Sequence, residues 1–297
     1  MQTFKNLQDL VLDLIEIDDA ITRTRAKDFI NMAGRDIWFR YPWPERRKDA
    51  FTSTVAPYTT GTASVSQGST TVTGSGTTWS TSYDGFKYAA GYDQPWYTAT
   101  RDSDTQLTLD RALVEDSHAA GSSYVLYQDV LTFTQNCDSV TSVMVGDPLR
   151  GAVAQPVARV DLDGMAYLPG STGVPAQYAM IEDSSIGRRR ARIWPVPDDE
   201  YGIHYTYLST WPELVHDADV PALHESRVDL IVLGAMRWAF LLAYETQKAL
   251  AAQARFEQEL KRTWGHTTRR HPAVHVMRKF DDSAGWRNSF QLPVVDA

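Results

Sequence analysis

Three histidines, His266, His271 and His275, fall close together late in the chain, and three imidazoles are enough to bind a transition metal. They sit in a Pro-broken stretch with no i, i+4 register after His271, so no helix face presents them together. Asp161, Asp163 and Gly164 resemble the opening of a calcium loop, but Met165 to Pro169 supply no distal carboxylate, and an acidic turn is the better reading. Gly74-Ser75-Gly76-Thr77 lacks the lysine of a phosphate loop and follows no parallel-sheet pattern, which makes it a hairpin turn. Arg188, Arg189, Arg190 and Arg192 form the one dense basic run. It could contact DNA phosphates or an acidic partner; its plainer reading is the solvated end of a hairpin leading into Ile193-Trp194. Asp198, Asp199 and Glu200 could serve glycoside hydrolysis only at a fixed separation, which adjacent acids in a Pro-flanked turn seldom keep. Trp79, Tyr83, Trp96 and Tyr97 could stack on a sugar ring or fill a barrel core. No Gly-x-Ser-x-Gly elbow and no Cys-His pairing in a recognisable context occurs.

The elements that would position these residues come in a nested order. Helical patterns occupy both ends, and a β-rich passage, Thr60 to Gln128, lies between them. Phe4, Leu7, Val11, Leu14 and Ile15 recur at helical spacing, predicting an amphipathic helix to about Ile17. A second helix is expected from Thr22, a candidate N-cap, with Ala26, Phe29, Ile30, Ala33 and Ile37 as its buried stripe. It should stop at Tyr41-Pro42-Trp43-Pro44, where two prolines force extended backbone. Thr, Ser and Gly then alternate with β-branched and aromatic residues, giving a hairpin from Ala63-Val65 to Thr71-Thr73. Further strands are expected at Trp96 to Thr100, Thr105 to Leu109 and Ser123 to Tyr127, making a small barrel or sandwich. Val140 to Val145, Val157 to Val160, Gln177 to Ile181, Ala191 to Trp194 and Gly202 to Tyr207 read as a second set of strands packed on the helices. From Pro221 a single helix is expected to run to Trp264, a rod of roughly 60 Å at about 1.5 Å per residue.

The resulting fold class is α+β: a helical body, made of the N-terminal helices and a long C-terminal helix, packed with a β-sheet and carrying an inserted small β module. Its expected domains are 1–59 with 129–264 for the body, 60–128 for the insert and 265–297 for an extended docking tail. At 297 residues, 43% hydrophobic and 22% charged, the chain can bury a real core. A net charge of −8 argues against wrapping duplex DNA, which needs a basic face. The single cysteine, Cys137, allows no internal disulfide, gives no metal spacing and reads as a small buried hydrophobe. The N-terminus mixes acids through its apolar positions, unlike a signal peptide, and the greasiest stretch, Leu230 to Tyr244, is cut by Arg237. No membrane role, metal or cofactor is implied.

Four passages, in order, resemble the head-to-tail adaptor (connector, or head-completion) proteins of tailed bacteriophages. Phe29 through Trp38 followed by Tyr41-Pro42-Trp43-Pro44 looks like the adaptor's opening helices. Gly61-Thr62 through Trp79, with Asp102 through Leu109 after it, is similar to β modules of virion proteins. Ile193-Trp194-Pro195-Val196-Pro197-Asp198 and Ile203 through Tyr207 look like the strand pair before the last helix, and Asp219-Val220-Pro221-Ala222-Leu223-His224 like the lead into it.

The resemblance implies a structural virion protein with no catalytic site, assembled in the host cytoplasm. It implies a ring of twelve copies at the portal vertex, joining the DNA-filled head to the tail and continuing the DNA channel. Its partners would be copies of itself, the portal protein, a tail or tail-completion (nozzle) protein and, transiently, genomic DNA. Trp286, Phe290, Leu292, Val294 and Val295 would dock on the portal. Two other readings compete: a tail-associated cell-wall hydrolase using the insert's aromatics and nearby acids, and a tail protein gripping a host glycan.

Overall fold

A computed structural model of the chain describes residues 2–16, 20–83, 85–91, 95–146, 151–161, 171–181 and 187–270. The fold is α+β with two curled β-sheets, and it divides into two compact units. One combines Met1–Glu45 with Trp211–Ala297 and holds the long helices; the other, Arg46–Thr210, holds both sheets.

In the helical unit, the Thr3 hydroxyl accepts from the Asn6 amide and caps helix α1 (Phe4–Ile15). Phe4, Leu7 and Val11, spaced i, i+3 and i+7, are wholly buried. Helix α2 (Ala20–Arg40) begins before Thr22, the expected N-cap, and buries Ala26, Ile30, Ala33 and Ile37 of the predicted stripe, with Phe29 half-buried. The prolines end it as expected, and the aromatic residues between them form a clamp. The Trp43 indole donates to the Ile37 carbonyl at 2.7 Å, one of the carbonyls that a helix end leaves without a partner. Tyr41 stacks on Trp264 with ring centres 4.7 Å apart, and Trp43 meets the same ring edge-on at 5.2 Å. Asn31, in mid-helix, accepts from the Leu214 amide and donates to the Leu214 carbonyl, both at 2.9 Å, tying the returning chain to α2.

The rod expected from Pro221 to Trp264 is instead two helices, α3 (Val228–Leu242) and α4 (Thr246–Arg270), folded back on each other. Between them Tyr244 takes a left-handed φ of 59°. The Glu245 amide donates to the Phe240 carbonyl at 3.0 Å and the Tyr244 amide to Leu241 at 3.3 Å, the bond pair of a Schellman turn. That turn usually carries glycine at the left-handed position; with tyrosine there, the sequence shows no break. α4 also runs on past Gly265, into the segment assigned to the tail.

In the other unit the strands are β1 (Arg47–Ser53), β2 (Thr62–Val65), β3 (Thr71–Ser75), β4 (Phe86–Ala89), β5 (Tyr97–Ser103), β6 (Gln106–Leu109) and β7 (His118–Ser122). They continue as β8 (Val125–Tyr127), β9 (Val130–Thr132), β10 (Cys137–Val145), β11 (Ala152–Pro156), β12 (Gln177–Ile181), β13 (Arg190–Trp194) and β14 (Gly202–Ser209). One sheet runs β1-β14-β10-β11-β12-β13-β9, the other β7-β2-β3-β6-β5-β4-β8. In the second, β7 and β8 lie at opposite ends yet only Ser123 and Tyr124 separate them, so the sheet curls until its ends approach.

The strand expected at Val157 to Val160 lies earlier, at β11, because the β10 ladder fixes Val143 opposite Ala154 and Val145 opposite Ala152. Strands β1, β4 and β7 carried no sequence signal. β4 is buried at every residue and so does not alternate, β7 contains Ala119-Ala120-Gly121, and β1 opens on Arg-Lys-Asp.

Candidate functional site

Several of the residues singled out for chemistry serve the fold. Gly74-Ser75-Gly76-Thr77 closes β3: a Cβ on Gly74 would lie 2.4 Å from Thr77 Oγ1, and Thr77 donates to the Asp104 carbonyl at 2.9 Å. Trp79 and Tyr97 are core residues of the second sheet. The Trp79 indole donates to Tyr124, whose hydroxyl passes the bond on to the Thr60 carbonyl. Asp198 accepts from the Tyr201 hydroxyl, and Asp199 and Glu200 occupy the exposed turn beside it. Among the described residues, no group of three His, Cys, Asp or Glu is placed to hold a metal. His266 lies on α4; His271, His275, Asp163, Gly164 and the five apolar tail residues Trp286, Phe290, Leu292, Val294 and Val295 are outside the described residues. Cys137 is buried, and burial pushes its thiol up to about 11.

The basic run is divided by its strand. Arg188 and Arg189 are exposed, Arg189 lying 3.9 Å from Asp138, while Arg190 and Arg192 belong to β13. Arg192 turns inward. Its Nε donates to Asp129 Oδ2 at 2.7 Å, and Lys87 Nζ reaches the same oxygen at 2.5 Å. Lys87 also lies 3.9 Å from the centre of the Trp96 ring, the nearest of three cations around that indole. One buried carboxylate therefore ties β4 of the inserted sheet to β13 of the other, alongside a small apolar cluster of Ala89, Val125, Tyr127 and Val196. Asp129 and Lys87 escaped sequence reading because a lone acid beside a strand has no pattern.

The helical unit offers a surface that is not spent on the fold. Met32, Arg35, Asp36, Phe39, Arg40, Arg237 and Trp238 line an open groove of about 550 Å³ between α2 and α3. Met32 is 38% exposed and Phe39 44%. Beneath it a polar network fixes the walls. Arg237 donates to Gln253 at 2.6 Å and to Asp36 at 3.2 Å; Arg40 donates to both Glu257 oxygens at 2.9 and 3.0 Å and to Asp36. Burial lowers the acidity range of the Arg40 guanidinium, but the bonds to Glu257 and Asp36 outweigh it, and the net shift is upward. Arg237, which breaks the greasy stretch of the sequence, is thus a buried strut with a carboxylate partner. Met32 and Phe39, seven residues apart and off the Ala26-Ile37 stripe, were the overlooked signal of a second apolar face on α2.

A helical unit with an open, partly apolar groove fits a protein that binds other proteins. The family model of the SU10 adaptor protein matches residues 2–278, nearly the whole chain. The chain belongs to the SU10 adaptor protein family. As an SU10 adaptor it is a structural adaptor of a bacteriophage, a virion component that contacts other head and tail proteins. A comparison with curated proteins finds no match. No helix among the described residues of this adaptor is long and apolar enough to cross a membrane.

Proposed function

We propose that this adaptor assembles as a closed ring of twelve copies at the portal vertex. There it joins the DNA-filled head to the tail, continues the DNA channel and seats a tail or tail-completion (nozzle) protein. The observation that carries this reading is the adaptor family's match across residues 2–278. A ring needs one face complementary to a different face of the same molecule, and an open helical groove supplies one of the two.

In this reading residues 60–128 act as a module inserted in the body, and 265–297 as a docking segment whose Trp286, Phe290, Leu292, Val294 and Val295 seat on the portal. Burial of those apolar groups would offset the entropy of ordering the segment. Arg188 and Arg189 are the exposed cations available to DNA or an acidic partner. With a net charge of −8, the wall of the channel would hold passing phosphates weakly and let them slide. The protein has no catalytic role here. A glycan-binding tail protein would need a flat exposed aromatic platform; Trp79 and Tyr97 are buried, Tyr83 packs on Tyr58 and Phe86, and the half-buried Trp96 is ringed by Lys87, Arg111 and Arg192.

The test is the mass of the protein alone and after mixing with heads that lack it. A multimer of defined copy number on the heads is expected; a strict monomer that ignores the portal would leave the proposal without support.

A further inference from the structure

Helix α4 carries a charge pattern opposite to that of the whole chain. Its acids are Glu257 and Glu259, against Lys248, Arg255, Lys261, Arg262, Arg269 and Arg270, on a protein whose net charge is −8. Phe256, Leu260 and Trp264 bury one side of the helix. Arg255, Lys261, Arg262 and Arg269 are exposed on the other, inside a sector of about 120° at roughly 100° per residue. Glu257 is bound by Arg40 and Gln253, and Glu259 pairs with Arg262, whose side chain stays 68% exposed. Among the described residues no acid pairs with Arg255, Lys261 or Arg269. The helix dipole favours cations only in the last turn, so it accounts for Arg269 but not for Arg255 and Lys261. A merely solvated face mixes both signs in i, i+4 pairs, which this one does not.

The residues between these cations decide what kind of anion they suit. Ala254 and Gln258 are exposed there and Gly265 half-exposed, so the face offers no large apolar side chain. A protein partner is held chiefly by aromatic or aliphatic anchors in buried pockets, whereas sequence-independent DNA binding is almost wholly neutralisation of phosphates. From Arg255 to Arg269 the row spans about 21 Å, too long for one small anion and suited to a continuous polyanion. Three of its four cations are guanidinium groups, whose planar fork matches a phosphate. We infer that this face of α4 contacts the phosphate backbone of duplex DNA, without regard to sequence. This rests on the reading that DNA passes through the assembled adaptor, and it names the surface that meets it, in addition to Arg188 and Arg189. With about four phosphate contacts per copy the hold is weak and falls steeply with salt, as a passage along which DNA moves requires.

The experiment follows the fluorescence anisotropy of a labelled duplex of about 30 base pairs and arbitrary sequence against the full chain, from about 25 to about 200 mM salt. The wild type should bind with a log–log salt slope of about −3 to −4. Arg255→Gln, Lys261→Gln and Arg269→Gln together change only exposed, unpaired side chains, so the triple variant should melt like the wild type. It should bind about tenfold more weakly, or worse, at about 50 mM salt, with a slope near about −1. Arg188→Gln with Arg189→Gln should change binding by less than about twofold. A wild type that ignores the duplex at about 25 mM salt, a triple variant that binds as the wild type does, or equal losses in both variants would overturn the assignment. A triple variant with unchanged DNA binding that loads onto adaptor-free heads in reduced number would give the face to an acidic protein instead. All of these outcomes leave the ring untouched, since that is read from the copies of wild-type protein on the heads.

Discussion

A Cβ added to Gly234 of α3 would fall 2.8 Å from the Cβ of Ala33 on α2, and 3.2 Å from the Phe256 ring of α4. Three helices therefore meet at one point where neither α2 nor α3 carries more than a methyl group. Both sides of the contact are backbone or Cβ, so neither can swing away. Gly234→Val should cost about 1–3 kcal/mol through overpacking, despite valine being apolar and the site buried. Denaturant unfolding reads this as a lowered midpoint with an unchanged slope; a midpoint equal to the wild type would mean that the helices have room to part.

Asp129 accepts from both Lys87 and Arg192 and is 4% exposed. Removing it leaves two cations in a buried place. Asp129→Ala should cost about 3–5 kcal/mol, while an apolar replacement of all three residues together should recover much of that loss. Equilibrium unfolding of the single and triple variants checks the sign of the difference. Equal losses in both would mean that the site is wet enough to screen the charges.

Tyr244 holds the left-handed position of the α3–α4 turn and is 93% exposed, so its side chain returns little for the strain. Tyr244→Gly should therefore stabilise the protein by up to about 1 kcal/mol, relief of the left-handed strain being partly offset by glycine's freer unfolded chain. Thermal unfolding should show a higher midpoint. A clear fall would mean that the tyrosine side chain stabilises the turn by more than the left-handed strain costs.

Two acids secure the chain beside α1. Lys27 and Gln8 bind Asp217 and hold its carboxyl below the ordinary range, and the Val215 and His216 amides do the same for Asp219. A folded pKa below the unfolded value gives stability that is complete above about pH 4 and lost as pH falls through the folded value. The thermal midpoint should drop as pH falls below about 4, and Asp219→Asn should reduce that drop while lowering the midpoint at neutral pH. A wild-type slope in the variant would contradict the assignment.

What the sequence made legible was governed by period. Most of the α1 and α2 stripes and the Ala63-Val65 hairpin lie where their period puts them, although Leu14 is exposed and Phe29 half-buried, and the strand at Gln177 to Ile181 lies where expected without alternating in burial. The α3–α4 break was hidden because tyrosine sits where glycine would announce a turn. The site was less legible than the fold. A groove is made by residues from two helices, Met32 and Phe39 on one and Trp238 on the other, and nothing along the chain marks them as neighbours.

The most direct measurement is a cryo-electron microscopy map of heads carrying the adaptor, with the copies counted at the portal vertex. Twelve copies closed around a central pore are expected there, each joined to the next by the same contact. Isolated molecules, or copies set anywhere but around that pore, would contradict it.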